Sequence, residues 1–115
     1  MESIILGLQK QFLGTWRLVE TEMWDSDALD LLGPAHITFG TNQLGEIQLI
    51  AIQGSIDYRA SERDSKPYVE FSWSGFDDND QSSGRGWARL EGARLLGRFF
   101  IHQGDDSGFV AERGP

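Results

Sequence analysis

Glu20 and Glu22 stand two residues apart in the run Trp16-Arg17-Leu18-Val19-Glu20-Thr21-Glu22-Met23-Trp24. In an unbroken strand, Trp16, Leu18, Glu20, Glu22 and Trp24 share one face, and Arg17, Val19, Thr21 and Met23 share the other. The two carboxylates are then about 6–7 Å apart along the strand. Turned into an apolar interior, they could bind a cationic ligand or work as an acid and base pair. Burial and like charge would raise at least one pKa. Arg59, Arg89 and Arg98 are the residues available to neutralise them. A bulge near Val19 would instead turn both carboxylates to solvent.

His102 is followed closely by Asp105, Asp106 and Ser107. A carboxylate beside an imidazole fixes its tautomer, and Ser107 is the nearest nucleophile. Nothing here resembles a nucleophile elbow. The simpler reading has Asp105, Asp106 and Ser107 capping a turn while His102 sits at a sheet edge. Asp78, Asp80 and Ser82 have the one-three-five spacing of a calcium loop. The glycine expected at the sixth position is missing, and Arg89 stands where a twelfth-position Glu belongs. A solvated acidic hairpin loop fits better. His36 and His102 alone make a weak metal pair. On this reading no catalytic residue, metal site or cofactor is assigned.

Aromatic residues concentrate in the second half: Tyr68, Phe71, Trp73, Phe76, Trp87, Phe99 and Phe100. Val69, Phe71 and Trp73 alternate, as do Leu95, Phe99 and Ile101, and both sets suit a core. Trp24, Trp73 and Trp87 could equally serve as flat cavity walls. Leu96, Phe100 and His102 fall on the opposite parity. An outward Leu96–Phe100 patch would suit a subunit contact, which makes a homodimer one expected assembly.

The elements that must position these residues follow from composition and punctuation. The 115 residues suit one domain able to bury a core without disulfides. There is no Cys, which removes thiolate catalysis and zinc–thiolate sites. The formal charge of −8 comes from 18 acidic and 10 basic residues. Such a surface repels phosphates and anionic lipid, so neither nucleic acid nor membrane is an expected partner. The opening residues lack a basic leader region, and no apolar run is long enough to span a bilayer. A cytoplasmic setting is expected.

Helical spacing of Ile4, Ile5, Leu8 and Phe12 predicts a short helix over 3–12. Strands are predicted over 14–24, 35–39, 46–53, 55–60, 68–73, 84–91, 94–103 and 108–113. A helical segment over 25–32, with Ala28, Leu31 and Leu32 at its spacing, is capped by Asp25 or Ser26 and ended by Gly33-Pro34. Polar loops are predicted over 61–67 and 74–83. The glycines of Gly84-Arg85-Gly86-Trp87 suggest a bulge or a close strand approach. Eight short strands with hairpin-length links close most naturally into an up-and-down barrel. Such a barrel is just wide enough to be filled by side chains or to hold one small ligand.

Phe12-Leu13-Gly14-Thr15-Trp16-Arg17-Leu18-Val19-Glu20 resembles the first strand of fatty-acid-binding proteins and, more loosely, of lipocalins. The resemblance implies that Trp16 closes the barrel bottom and that a late arginine, here Arg113, packs across it. No counterpart of those families' ligand-carboxylate clamp carries over to this chain. Four further runs resemble a family of short bacterial proteins with no established activity. They are Trp24-Asp25, Glu70-Phe71-Ser72-Trp73-Ser74-Gly75, Ser83-Gly84-Arg85-Gly86-Trp87 and His102-Gln103-Gly104-Asp105-Asp106-Ser107.

The chain therefore reads as all-β, a calycin-like, eight-stranded antiparallel up-and-down barrel with a short N-terminal helix, one domain over 1–115. The expected function is noncatalytic binding of a small apolar or amphipathic ligand. The expected binding residues are Trp16, Glu20, Glu22, Trp24, Trp73, Trp87, Arg98 and His102. The alternatives are a protein-interaction or dimerisation module with a filled barrel, and an enzyme built on Glu20/Glu22 or His102/Asp105.

Overall fold

Eight antiparallel strands follow one another around a closed barrel, and the last pairs with the first. The structure, a computed structural model, describes residues 2–114 apart from the side chains of Glu2, Ser3 and Ile5. The strands are β1 (Gly14–Thr21), β2 (His36–Phe39), β3 (Leu44–Leu49), β4 (Ile52–Arg63), β5 (Lys66–Asp77), β6 (Asp80–Glu91), β7 (Arg94–Ile101) and β8 (Asp106–Arg113). Helix α1 (Glu2–Lys10) precedes them, and α2 (Ser26–Leu29) lies between β1 and β2. The predicted class, strand number and order all hold.

Strand lengths differ from the sequence reading. The loops predicted over 61–67 and 74–83 are two-residue turns, Asp64-Ser65 and Asp78-Asn79, and their flanks are paired strand. Asp64 and Ser65 have φ of 52° and 65°, as the primed hairpin turns require. An antiparallel strand with one wet face accepts polar residues, so polarity alone did not mark loop there. The first strand ends at Thr21 and the seventh at Ile101, short of the predicted 24 and 103.

The interior is filled by side chains. Trp16, Leu18, Ile37, Phe39, Tyr58 and Phe99 are each at most 1% exposed and belong to one apolar cluster. Aromatic rings face glycines across the ladders: Trp73 opposes Gly84, Phe71 opposes Gly86 and Phe109 opposes Gly97. A Cβ on Gly97 would stand 2.7 Å from the Phe109 ring. The missing side chains make room for the rings, which is how a small barrel holds so many. Gly84 and Gly86 thus serve close side-chain approach, with no bulge in that ladder.

Both ends are stoppered. At one end Phe12 meets Phe39 edge-on at 5.9 Å, and Phe39 meets Tyr58 at 4.9 Å. Gln9 is buried and its Nε2 donates to the Thr41 carbonyl at 2.8 Å. The predicted apolar face of this helix is corrected in part: Ile4 is exposed and Leu8 half-buried, while Ile5 lies outside the described side chains. At the other end Asp25 caps α2 by accepting from the Ala28 amide at 2.9 Å. Leu29 is buried and Trp24 packs against the core, whereas Leu31 and Leu32 are exposed. The helix is one turn long because the chain must swing back to β2. Arg17 holds that return, pairing with both oxygens of Asp30 at 2.9 and 2.6 Å.

Candidate functional site

Trp16 points inward and is buried, the placement that the resemblance implied. Its Nε1 donates to the Phe12 carbonyl at 2.8 Å, and the Arg113 guanidinium lies 4.0 Å from the ring centroid. Trp16 and Arg113 are direct partners in the β1–β8 ladder. The parity then breaks. Leu18 pairs with Ala111 but Glu20 pairs with Val110, so Val19 is an extra residue in β1. Every side chain beyond it changes face. Glu20 and Glu22 are exposed, which corrects the inward placement that an unbroken strand would give.

At Glu22 the expected rise in pKa is reversed. Glu22 accepts from the Gly108 amide at 2.9 Å and stands 3.1 Å from Arg98. These contacts, the amide first, hold its carboxyl below the usual range. Arg98 also binds Asp106 through Nε and Nη2, at 3.1 and 2.9 Å.

His102 lies exposed in the turn between β7 and β8. Ser107 is buried, and its Oγ donates to the Gly108 carbonyl and accepts from the Met23 amide. Asp106 is held by Arg98. Among the described residues no hydrogen bond joins the His102 ring to Asp105, Asp106 or Ser107. His36 binds the Pro34 carbonyl through Nδ1 and faces Glu46 at 3.6 Å. Asp78 lies in a two-residue hairpin turn and Asp80 directly follows it, and among the described residues no three His, Asp or Glu side chains converge on a metal-sized site.

Trp73 is buried, with its Nε1 donating to the Phe100 carbonyl at 3.0 Å and its ring stacked on Phe99 at 5.1 Å. Trp87 has the opposite orientation. On β6, Gly84, Gly86 and Ala88 take the inner parity, so Arg85, Trp87 and Arg89 stand on the outer wall. The wall is built in cross-strand rows. One row runs Arg59, Glu70, Trp87, Arg98, and its neighbour runs Asp57, Ser72, Arg85, Phe100, Asp106.

Trp87 borders three adjoining clefts on this wall. The first, about 540 Å³, is lined by Asp57, Arg59, Glu70, Ser72, Arg85 and Phe100. The second, about 320 Å³, brings Glu20, Glu22 and Arg98 beside Trp87. The third, about 580 Å³, includes Arg63, Lys66 and Tyr68. Tyr68 stacks on Trp87 at 5.8 Å, and the Arg63 guanidinium lies 4.4 Å over Tyr68. The expected binding residues are thus divided. Glu20, Glu22, Trp87 and Arg98 meet outside the barrel, Trp16 and Trp73 are core, Trp24 packs against the core, and His102 is in the β7–β8 turn, outside all three clefts.

Most charges on the wall are paired with one another. Arg59 pairs with Asp57, Arg63 with Glu70 at 3.8 Å, and Lys66 and Arg89 with Glu91. Lys66, then Arg89, keep the Glu91 carboxyl below its usual range. The sequence reading missed Arg59, Tyr68 and Arg85 as wall residues. The available signal was parity: on β6 the small residues alternate with arginines, and Trp87 shares the arginines' positions.

No family model, curated protein or solved structure matches the chain. Among the described residues no helix is long and apolar enough to cross a membrane.

Proposed function

We propose that this chain is a noncatalytic binding module of calycin-like build, with a filled barrel and a working surface on the outer wall around Trp87. One observation carries the reading: a tryptophan on the outer parity borders three clefts at once. Trp16 and Trp73, by contrast, spend their indole N–H groups on backbone carbonyls inside. A large aromatic residue with a wet polar edge is an effective anchor for a ligand. Glu20, Glu22 and Arg98 supply polar contacts at its side. The absence of Cys requires no oxidising compartment, and we take the cytoplasm as the setting.

Each of the four tryptophans gives its own indole N–H signal in a nitrogen–proton correlation spectrum. Titration with a panel of small aromatic, aliphatic and charged compounds should move the Trp87 signal and leave Trp16 and Trp73 in place. Compounds that move Trp16 and Trp73 instead would favour the barrel interior as the binding site and defeat the outer-wall reading.

Self-association is a second reading, favoured by Phe100 at 36% exposure and half-buried Leu96 on either side of Arg98, on a wall whose charges are mostly paired. Two copies could meet there without the repulsion expected from the net charge. Sedimentation velocity on the chain and on Trp87→Glu tests it. A dimer that the variant splits supports the reading, and a monomer at every concentration removes it.

A further inference from the structure

The cleft between Trp87 and Phe100 has a chemical selectivity of its own. We infer that it takes an aromatic ring carrying a single anionic group, of which an aryl carboxylate is the simplest form. The inference rests on the outer wall being the binding surface, and it adds the class of ligand.

Charge is the first argument. Four of the cleft's residues are charged: Asp57, Arg59, Glu70 and Arg85. Asp57 and Arg59 pair with each other, and Glu70 pairs with Arg63. Among the described residues Arg85 forms no ion pair. Ser72 stands directly opposite Arg85 in the β5–β6 ladder, and neither side chain makes a hydrogen bond among the described residues. The cleft therefore offers one guanidinium fork and one hydroxyl with no internal acceptor. A carboxylate satisfies both, because its two oxygens match the fork. Asp57 and Glu70 at the same cleft oppose a second negative charge, which favours a monoanion over a phosphate dianion.

Shape is the second. Arg85 is flanked by Phe100 across the ladder and by Trp87 two residues along the same face. A ligand whose anion sits on Arg85 thus has an aromatic residue on either side for its ring. Trp87 is held in place by the stack through Tyr68 to Arg63, so little freedom is lost on binding. The floor is rigid because Phe71 fills the space left by Gly86 beneath. A volume of about 540 Å³ admits a one- or two-ring ligand.

The chemistry has two natural sources: a free aromatic acid, or a polypeptide that ends in an aromatic residue. The test titrates the full chain with 2-naphthoate, 2-naphthalenemethanol and cyclohexanecarboxylate, and with a short peptide ending in Phe as the free acid and as the amide. Binding is followed at the Trp87 indole signal and at the Ser72 and Arg85 amides. 2-Naphthoate should bind about tenfold or more tightly than the alcohol, since a charge-assisted contact is at stake. It should also outbind the cyclohexane acid. Arg85→Gln should abolish the preference for the anion and leave the melting temperature unchanged. Phe100→Ala should weaken acid and alcohol alike.

Tighter binding of the free-acid peptide than of naphthoate, with the amide weak, would identify a chain terminus as the source. The reverse order would identify a small acid. Equal binding of naphthoate and the alcohol, or an anion preference that survives Arg85→Gln, overturns the inference while the outer wall stands. Failure of every aromatic probe to move Trp87 also overturns the inference, and failure of the aliphatic and charged compounds as well removes the outer-wall reading with it.

Discussion

Trp73 stands directly across from Gly84 in the β5–β6 ladder, and its indole passes over that glycine to reach β7. The Nε1 donates to the Phe100 carbonyl at 3.0 Å, while the ring stacks on Phe99 at 5.1 Å. One glycine thus lets a single side chain on β5 bind the second strand over. Phe100 itself turns outward to the wall. The core contact of Trp73 and the outer position of Phe100 are therefore set by neighbouring atoms of the same residue.

A methyl at this glycine has nowhere to go. A Cβ on Gly84 would lie 2.7 Å from Trp73 Nε1 and closer still to the Phe100 carbonyl. Gly84→Ala should destabilise the chain by about 2–3 kcal/mol, read as a lower urea midpoint. Gly7→Ala is the contrasting control, because nothing lies within 4 Å of the added Cβ on α1. That change should raise stability by about 0.5–1 kcal/mol, as expected for an exposed helical glycine.

Arg113 joins the last strand to the first turn of the barrel. Besides covering Trp16, it donates to the carbonyls of Leu13 and Gln11. Arg113→Met should cost about 1–2 kcal/mol in chemical denaturation, since the site is exposed and its contacts are screened. Arg113→Lys should recover less than half, because an ammonium cannot fork to two carbonyls and cover a ring together. Full recovery by Lys would mean that charge alone matters here.

The two aromatic environments predict different costs for two chemically identical losses. Trp73→Ala should destabilise by about 3–5 kcal/mol, as a buried cavity forms. Trp87→Ala should cost about 1 kcal/mol, because only its stack with Tyr68 and part of its surface are lost. Trp87→Phe should also remove the component of tryptophan fluorescence most readily quenched by acrylamide. A large stability loss in Trp87→Ala would argue that Trp87 belongs to the core.

Acid should weaken the fold through three carboxylates. Asp30 is held low by Arg17 and by the Ala35 amide, Glu22 by the Gly108 amide and Arg98, and Glu91 by Lys66 and Arg89. A folded pKa below the unfolded one stabilises wherever the unfolded group is ionised, so the gain is complete above the ordinary values of 3.8 for Asp and 4.5 for Glu. It is lost as pH falls through the lower folded values. Urea midpoints should therefore be level near neutrality and drop below about pH 4. Asp30→Asn should lower the stability at pH 7 by about 1 kcal/mol, read as a lower urea midpoint, and flatten part of the acid slope. An unchanged slope in that variant would show that Asp30 carries none of it.

How far the chain could be read on its own is clearest along β1. The resemblance carried the expectation that Trp16 faces inward under Arg113; the alternation from Trp16 and the Gly14 before it were enough to place a barrel strand. Those are local properties: side chains alternate by two, and glycine and aromatic residues punctuate strands by their own sterics. The same alternation misplaced Glu20 and Glu22, because the extra residue at Val19 exists only where β1 meets β8. A bulge belongs to a pair of strands, and one strand's sequence does not contain the other's register.

The candidate site shows the same division. The sequence of β6 already held the parity that turns Trp87 outward, since Gly84, Gly86 and Ala88 occupy the other face. It also told apart core-forming and surface-forming residues in β5 and β7. What it could not contain is which residues of β4, β5 and β7 stand beside Trp87. That depends on two-residue turns at 64–65 and 78–79, where polar runs had suggested loops. Those turns set the registers that align Arg59, Glu70 and Arg98 with Trp87, and Ser72 and Phe100 with Arg85. Composition and periodicity determined a cysteine-free, acidic, eight-stranded barrel. Pairing across strands decided that its interior is filled, that its two N-terminal carboxylates lie outside, and that the clefts bordered by Trp87 are on the wall.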